Sequence, residues 1–266
     1  METVTYPLLN MTTLHFLDPN PSGSPGVLLL HGLGADASSW TLQFPALIDA
    51  GFRPLAPDAP GFGASRYDGR GWSLGRVAAA VAGLLDEAAT GPVHVVGLSM
   101  GGVIAQQLAL DAPQRVKKLV LASTFAALRP ESLAGWLYWL RRALLVSFMG
   151  IPAQARFVAG RLFPAPGQEA LRQMLVEQIT QADPRAYRAA MRALGLFDSR
   201  KRLAQIEAPT LVITGADDST VSPSAQTALA QGIRGARQVV IAGAGHAVSV
   251  DHFEAFNAAL LGFLAE

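Results

Sequence analysis

One serine in this chain stands where its hydroxyl could react. Residues 93–102 read V-H-V-V-G-L-S-M-G-G. Val93, Val95 and Val96 predict a strand, and residues 100–110, with Val103, Ile104 and Leu108 on one side, predict a helix. Between them Ser99 occupies the middle of G-x-S-x-G, a pattern whose meaning depends on a strand–turn–helix context. The turn is tight, so Gly97 and Gly101 fall where a Cβ would meet neighbouring backbone. Serine is a weak nucleophile until a base takes its proton. The chain offers His246 after a glycine near its C-terminal end, and the adjacent acids Asp217 and Asp218 in T-G-A-D-D-S-T-V-S-P.

These groups can meet only if the elements around them deliver them to one edge. Residues 4–6 and 12–17 predict short opening strands in an edge hairpin. Residues 27–30 are a continuous apolar run, the mark of a strand buried on both faces, and they empty into H-G-L-G at 31–34. A helix is expected through Trp40, Phe44, Leu47 and Ile48, a strand over 53–56, and a helix carrying Leu74, Val77, Val81, Leu84 and Leu85 on one face. After the serine's strand and helix, residues 119–122 predict a strand. Residues 125–198 then show only helical patterns: Leu133, Trp136, Leu137, Leu140 and Leu144 form one stripe, and Tyr187, Ala190, Met191 and Leu194 another. Pro152, Pro164, Pro166 and Pro184 punctuate this stretch into about four helices. Strands at 210–214 and 238–242 flank a helix at 224–231, and Phe253, Phe256, Leu260, Phe263 and Leu264 mark a closing helix. Alternating strands and helices predict an α/β fold, a mostly parallel sheet wound on both faces, with a helical cap inserted over its carboxyl edge. The expected domains are a core of residues 1–124 and 199–266 and a cap, or lid, of residues 125–198. Ser99, Asp217 or Asp218, His246 and the 31–34 stretch all follow strands, so all belong at that edge.

Composition narrows the chemistry. The chain has 266 residues, half of them hydrophobic and 15% charged, with net charge +1 and no cysteine. The neutral balance argues against nucleic acid. The absence of cysteine excludes disulfides, a thiolate metal site and a cysteine nucleophile. Residues 1–10 lack the basic start and apolar core of a signal peptide. The best membrane candidate, residues 133–149, is interrupted by Arg141 and Arg142, so no stable membrane insertion and a cytoplasmic location are expected. The histidines do not combine with carboxylates at metal-ligand spacing, and the glycine cluster near Gly61 is not a dinucleotide or phosphate loop, so neither metal nor cofactor is expected.

The motifs H-G-L-G, P-D-A-P-G-F-G-A-S, G-L-S-M-G-G, G-A-D-D and G-A-G-H, in this order, resemble an α/β-hydrolase-fold serine hydrolase of the capped esterase and lactonase type. The resemblance implies a triad in which Ser99 attacks an acyl carbonyl, His246 moves the proton and an aspartate orients the histidine. It selects Asp218, three residues after Gly215 and three before Val221, and leaves Asp217 to a solvated turn. It also implies an oxyanion hole from the backbone N–H groups of Leu33 and Met100, whose side chains would be free to line the acyl pocket. Its dehalogenase and epoxide hydrolase branches carry an aspartate where this chain has Ser99.

Other residues read more plainly. His31 is expected to brace the oxyanion loop, His94 to be a hydrogen-bonded core residue, and Asp58 to be structural; His15 and His252 have no evident partner. The aromatics Trp136, Tyr138, Trp139 and Phe148 admit three readings: packing among the cap helices, an apolar roof over the pocket, or contact with a lipid surface; on the second, Trp136, Trp139 and Phe125 are the expected lining. Residues 125–198 hold nine arginines against five carboxylates, a solvated surface with at most mild steering of anions. The expected partner is a small-molecule ester, with oligomeric state left open. The reaction expected is hydrolysis of small to medium apolar carboxylic esters or lactones through an acyl-enzyme. Perhydrolase, C–C bond hydrolase and acyltransferase chemistry on the same triad, or a non-enzymatic ligand receptor, are the alternatives.

Overall fold

The structure, a computed structural model, describes residues 14–88, 90–128, 133–145 and 149–266. Seven strands, β1 (Phe16–Leu17), β2 (Gly26–Leu30), β3 (Arg53–Pro57), β4 (Val93–Leu98), β5 (Val116–Ala122), β6 (Thr210–Gly215) and β7 (Arg237–Ile241), form one sheet in the order β1-β3-β2-β4-β5-β6-β7. Every neighbouring pair is parallel except β1 with β3. The central strands are buried along their whole length because both faces are covered. Leu28, Leu30, Val95, Leu119, Leu121 and Val212 face one core with α2 (Leu74–Glu87) and α3 (Met100–Asp111). Val27, Leu29, Val96, Val120, Leu211 and Ile213 face the other with α1 (Phe44–Asp49) and the closing helix. Alternate residues of each strand thus feed opposite cores, as the period of two requires.

The chain runs from β2 outward to β3, then returns to lay β4 on the other side of β2 and continues through β5, β6 and β7. The reversal lies between β2 and β4, so the segments that follow these strands flank the crevice where open α/β sheets bind ligands.

Four helices stand between β5 and β6: α4 (Leu133–Leu144), α5 (Gly150–Leu162), α6 (Glu169–Gln181) and α7 (Pro184–Leu196). An isolated bridge between Ala127 and Asp198 ties the two ends of this stretch together. Beyond β6 lie α8 (Pro223–Gly232), a short α9 (Val248–Asp251) and α10 (Phe253–Leu264).

Several expectations need correction. Of the opening hairpin, residues 4–6 and 12–13 lie outside the described residues, and the described part, β1, pairs antiparallel with β3. The helix expected through Trp40 and Ile48 is broken into a 3-10 turn, Ala37–Trp40, and α1. Pro45 explains the break: without an N–H it belongs in a first helical turn and starts a new helix. β5 begins at Val116, before the expected 119, because Val116 and Lys118 already pair with Val93 and His94 of β4; the Lys118 ammonium donates to the Phe263 carbonyl at 2.8 Å. The last strand is shifted by one residue, and α9 was not anticipated. The leucine stripe of α4 faces outward: Leu133 is 75% exposed and Trp136 62%. The buried side is the one bearing Tyr138 and Arg142, one helical turn apart.

α6 and α7 dock on the core through loops after β2 and β3. The Asp183 N–H donates to the Gly61 carbonyl at 2.8 Å, and a Cβ on Gly61 would lie 2.2 Å from the Ala186 Cβ. Gly61 also has φ +85°, a conformation that side chains resist. Gly61→Ala is therefore expected to lower stability by roughly 2–4 kcal/mol in urea unfolding, from left-handed strain and overpacking together. Adding Ala186→Gly should recover the steric part, read as a double-mutant cycle.

His94 packs edge-on against Phe52, ring centroids 5.8 Å apart, and its Nδ1 has no hydrogen-bond partner among the described residues, contrary to the expected bonded core histidine. Burial, and then Lys117 and Lys118, push its pKa down to about 4 from 6.5. The folded value lies below the unfolded one, so the unfolded chain takes the proton first. His94 should thus contribute its full stability above pH 6.5 and lose it as the pH falls toward about 4. Melting temperatures across this window should fall less steeply in His94→Leu than in the parent.

Candidate active site

Ser99 sits between β4 and α3 with φ 54° and ψ −112°. A non-glycine residue held at positive φ stores strain of order 1–3 kcal/mol, which the surroundings must fix in place. They do so from three sides. The Ser99 N–H donates to the Ala122 carbonyl at 2.9 Å. The Ser99 carbonyl accepts from the Val103 N–H at 3.1 Å and from the Thr124 hydroxyl at 2.8 Å. Close approach explains the glycines: a Cβ on Gly101 would fall 1.9 Å from the Leu30 carbonyl oxygen, and one on Gly97 would fall 2.3 Å from that of Gly101.

The segment after β7 brings His246 to this turn, with Nε2 3.0 Å from the Ser99 hydroxyl. Its Nδ1 lies 2.9 and 3.1 Å from the two carboxylate oxygens of Asp218. A carboxylate only accepts, so Nδ1 carries the ring proton and Nε2 is left to accept from the serine. Asp218 is buried, and its orientation is set by donors from its own loop. Oδ1 accepts from the N–H groups of Thr220 at 2.8 Å and Val221 at 2.9 Å, and Oδ2 from the Gln226 amide at 3.0 Å. Asp217 is exposed and reaches no ring. The histidine's loop is pinned by the Gly245 N–H, which donates to Asp251 at 2.9 Å. His15 Nδ1 donates to Asp58 at 2.8 Å, a partner that the sequence did not reveal, whereas His252 Nδ1 lies 3.3 Å from the other oxygen of Asp251 without a hydrogen bond among the described residues.

Two backbone N–H groups, those of Leu33 and Met100, have no acceptor among the described residues. Met100 opens α3, where the helix dipole favours negative charge. The Leu33 loop is fixed from beneath by His31, whose Nδ1 contacts the Gly32 carbonyl at 2.8 Å while Nε2 accepts from the Ala59 N–H at 3.0 Å. Burial holds the His31 pKa below its ordinary value, and a neutral ring protonated on Nδ1 satisfies both bonds. Asp58 steadies the neighbouring loop, accepting from Ala37 N–H at 2.7 Å and Ala64 N–H at 2.9 Å.

Above Ser99 lies a mainly apolar cavity of about 90 Å³. Leu33, Phe125 and Trp139 line it, joined by Tyr138 and Arg142 from α4 and by Leu162 and Phe163 at the end of α5. Two expectations are corrected here. Trp136 is absent from the lining and turned to solvent, because the inward face of α4 is the one carrying Tyr138 and Arg142. The Met100 side chain is fully buried beneath the elbow in the core, so only its backbone faces the site. Phe148 lies outside the described residues. Gln226 and Thr124, which hold the acid and the serine, belong to no motif; the sequence carries no signal for either. Among the described residues no cluster of His, Asp or Glu could hold a metal ion, and no helix is long and apolar enough to cross a membrane. A hydroxyl, a base, a buried acid and two open N–H donors around one cavity can perform nucleophilic acyl transfer.

A model of the alpha/beta hydrolase fold matches residues 25–253. A Variovorax paradoxus (strain S110) protein, provisionally named carbamate hydrolase RutD, is 34% identical over 258 residues, covering 95% of this chain and 96% of its own length. The 2-hydroxy-6-oxo-6-phenylhexa-2,4-dienoate hydrolase of Comamonas testosteroni is 30% identical over 266 residues, 90% of this chain and 87% of its own. Among solved structures, the enol-lactonase from Burkholderia xenovorans LB400 superposes with a TM-score of 0.86 at 29% identity, over 95% of this chain and 96% of that one.

The two neighbouring aspartates separate the roles experimentally. Asp218→Asn is expected to slow labelling of Ser99 by a fluorophosphonate probe by about 10³–10⁴-fold, because an amide in its place favours the wrong histidine tautomer. Asp217→Asn should stay within about twofold of the parent, as surface changes away from a network do.

Proposed function

Because the chain belongs to the α/β-hydrolase family, we propose that it is a serine hydrolase cleaving carboxylic esters, lactones included, of small to medium and mostly apolar acyl groups. The observation that carries the reading is the continuous hydrogen-bonded path from the Ser99 hydroxyl through His246 to buried Asp218, at 3.0 and 2.9 Å, on the floor of a cavity.

Ser99 Oγ attacks the acyl carbon as His246 Nε2 takes its proton, and Asp218 stabilises the imidazolium that forms. The carbonyl oxygen, now an alkoxide, is met by the N–H groups of Leu33 and Met100; one such donor typically lowers the barrier by about 3–4 kcal/mol. The intermediate collapses: the oxyanion re-forms the carbonyl, the bond to the ester's alcohol oxygen breaks, the alcohol leaves with the proton from His246, and an acyl-Ser99 remains. Water then gives a proton to the same nitrogen and attacks the acyl carbon, releasing the acid and returning the proton to Ser99. No step calls for a cofactor. In this reading residues 125–198 act as a cap on the 1–124 and 199–266 core, with Trp139 and Phe125 as acyl-pocket walls. The partner is a small-molecule ester in the cytoplasm.

The relative named as a dienoate hydrolase supports a second reading, C–C bond hydrolysis on the same triad. A panel containing a vinylogous diketone beside simple esters separates the two.

Ser99→Ala should keep the parent's melting temperature while p-nitrophenyl ester hydrolysis falls by at least about 10³-fold. Activity retained in the pure variant would overturn the reading. In an acyl series from acetate to palmitate with a lactone included, the 90 Å³ cavity should favour the short chains and the lactone.

A further inference from the structure

Arg142 is out of place for a charged residue. It lies on α4 yet is only 5% exposed, and it lines the same cavity as Ser99 and His246. Two other cap arginines have carboxylate partners: Arg172 pairs with Glu169 and Arg185 with Asp183. Arg142 has no such partner. Among the described residues the groups in contact with it are neutral, and the one charge sharing a ring with it is another cation, Arg161, 4.4 Å from the Tyr138 centroid. Its guanidinium sits 4.8 Å from the Trp139 ring centroid and 5.7 Å from that of Tyr138, and Nη2 lies 3.3 Å from the Tyr187 hydroxyl. With the Gln154 amide turned so that its oxygen faces the arginine, that oxygen accepts from Nε at 2.7 Å and Nη2 at 3.1 Å. Nη1 has no acceptor among the described residues. Arginine cannot shed its proton, and a buried charge without a counter-charge is unfavourable. Aromatic faces, a hydroxyl and an amide orient a guanidinium but leave its charge unbalanced. What they orient is a planar fork matched to a carboxylate.

We infer that Arg142 binds a carboxylate on the substrate, so that the natural ester or lactone is a short molecule carrying a second, ionised acid group. This rests on the ester-hydrolase reading for its reaction, but its binding claim can be tested apart from turnover. The apolar walls hold the stretch between the two groups, and Arg142 fixes the end remote from Ser99.

The test uses monoethyl and diethyl esters of malonate, succinate, glutarate and adipate. Calorimetry on Ser99→Ala protein reads binding without turnover, and titration of released acid reads kcat and KM on the parent. At least one monoethyl ester should bind tenfold or more tightly than its diethyl partner and show the same ratio in KM. Arg142→Gln should erase that ratio, through KM more than kcat, while Arg142→Lys, which keeps the charge but not the fork, should retain part of it. Two results overturn the inference: parent protein showing no preference for any monoethyl ester, or a folded Arg142→Gln that keeps the preference. Should Arg142→Gln fail to fold, the parent's preference and the partial retention in Arg142→Lys decide. Tenfold preference in binding with no ester hydrolysed would instead remove the ester reading and leave Arg142 as a carboxylate site.

Discussion

Everything at the site depends on how closely the start of α3 approaches the end of β2. Gly101 lies so near the Leu30 carbonyl that no side chain fits between them, and this contact fixes three things together. It sets Ser99 in its strained conformation, aims the free N–H of Met100 at the cavity, and brings the Leu33 loop alongside. The approach is possible because β2 and β4 are neighbours in register, with Leu30 opposite Gly97. Widening it by the width of a methyl group would separate the Ser99 turn from the Leu33 loop.

A second layer holds the first. Each group at the site is held by a residue that does not line the cavity: Thr124 beneath Ser99, Gln226 beside Asp218, Asp251 under the His246 loop, His31 beneath Leu33. All these contacts come from the segments that follow β2, β5, β6 and β7, so the sheet's register is translated into side-chain positions over very short distances. Such a frame keeps hydrogen-bond lengths at the site near 3 Å without rearrangement during reaction.

Most of the sheet, and the residues it brings together as Ser99, His246 and Asp218, were legible in the sequence because their signals are local. A β-branched run, a glycine pair around Ser99, and strand-ending loops with an acid and a histidine each fit within ten residues. The partner of His15 was not legible, since Asp58 reaches it across 43 residues and no spacing encodes that. The face of α4 was misjudged for a different reason. Periodicity reveals that Leu133, Trp136, Leu137, Leu140 and Leu144 share a side, but not that the side points outward. Arg142, on the opposite side, read as an interruption of an apolar run and as part of a solvated surface. Its burial is a property of the packing of α4 against Tyr187 and Gln154, which no short window of sequence contains.

The docking of α6 and α7 has a consequence for how this protein can change over generations. These helices touch the sheet loops at Gly61 and through Gln178, which donates to Asp36, whereas α4 lends the cavity Tyr138, Trp139 and Arg142. Substitutions along α4 can therefore redraw the cavity wall while the docking contacts and the Ser99 turn stay as they are. Lineages carrying this arrangement can explore new substrates by drift in one helix, with the machinery below inherited intact.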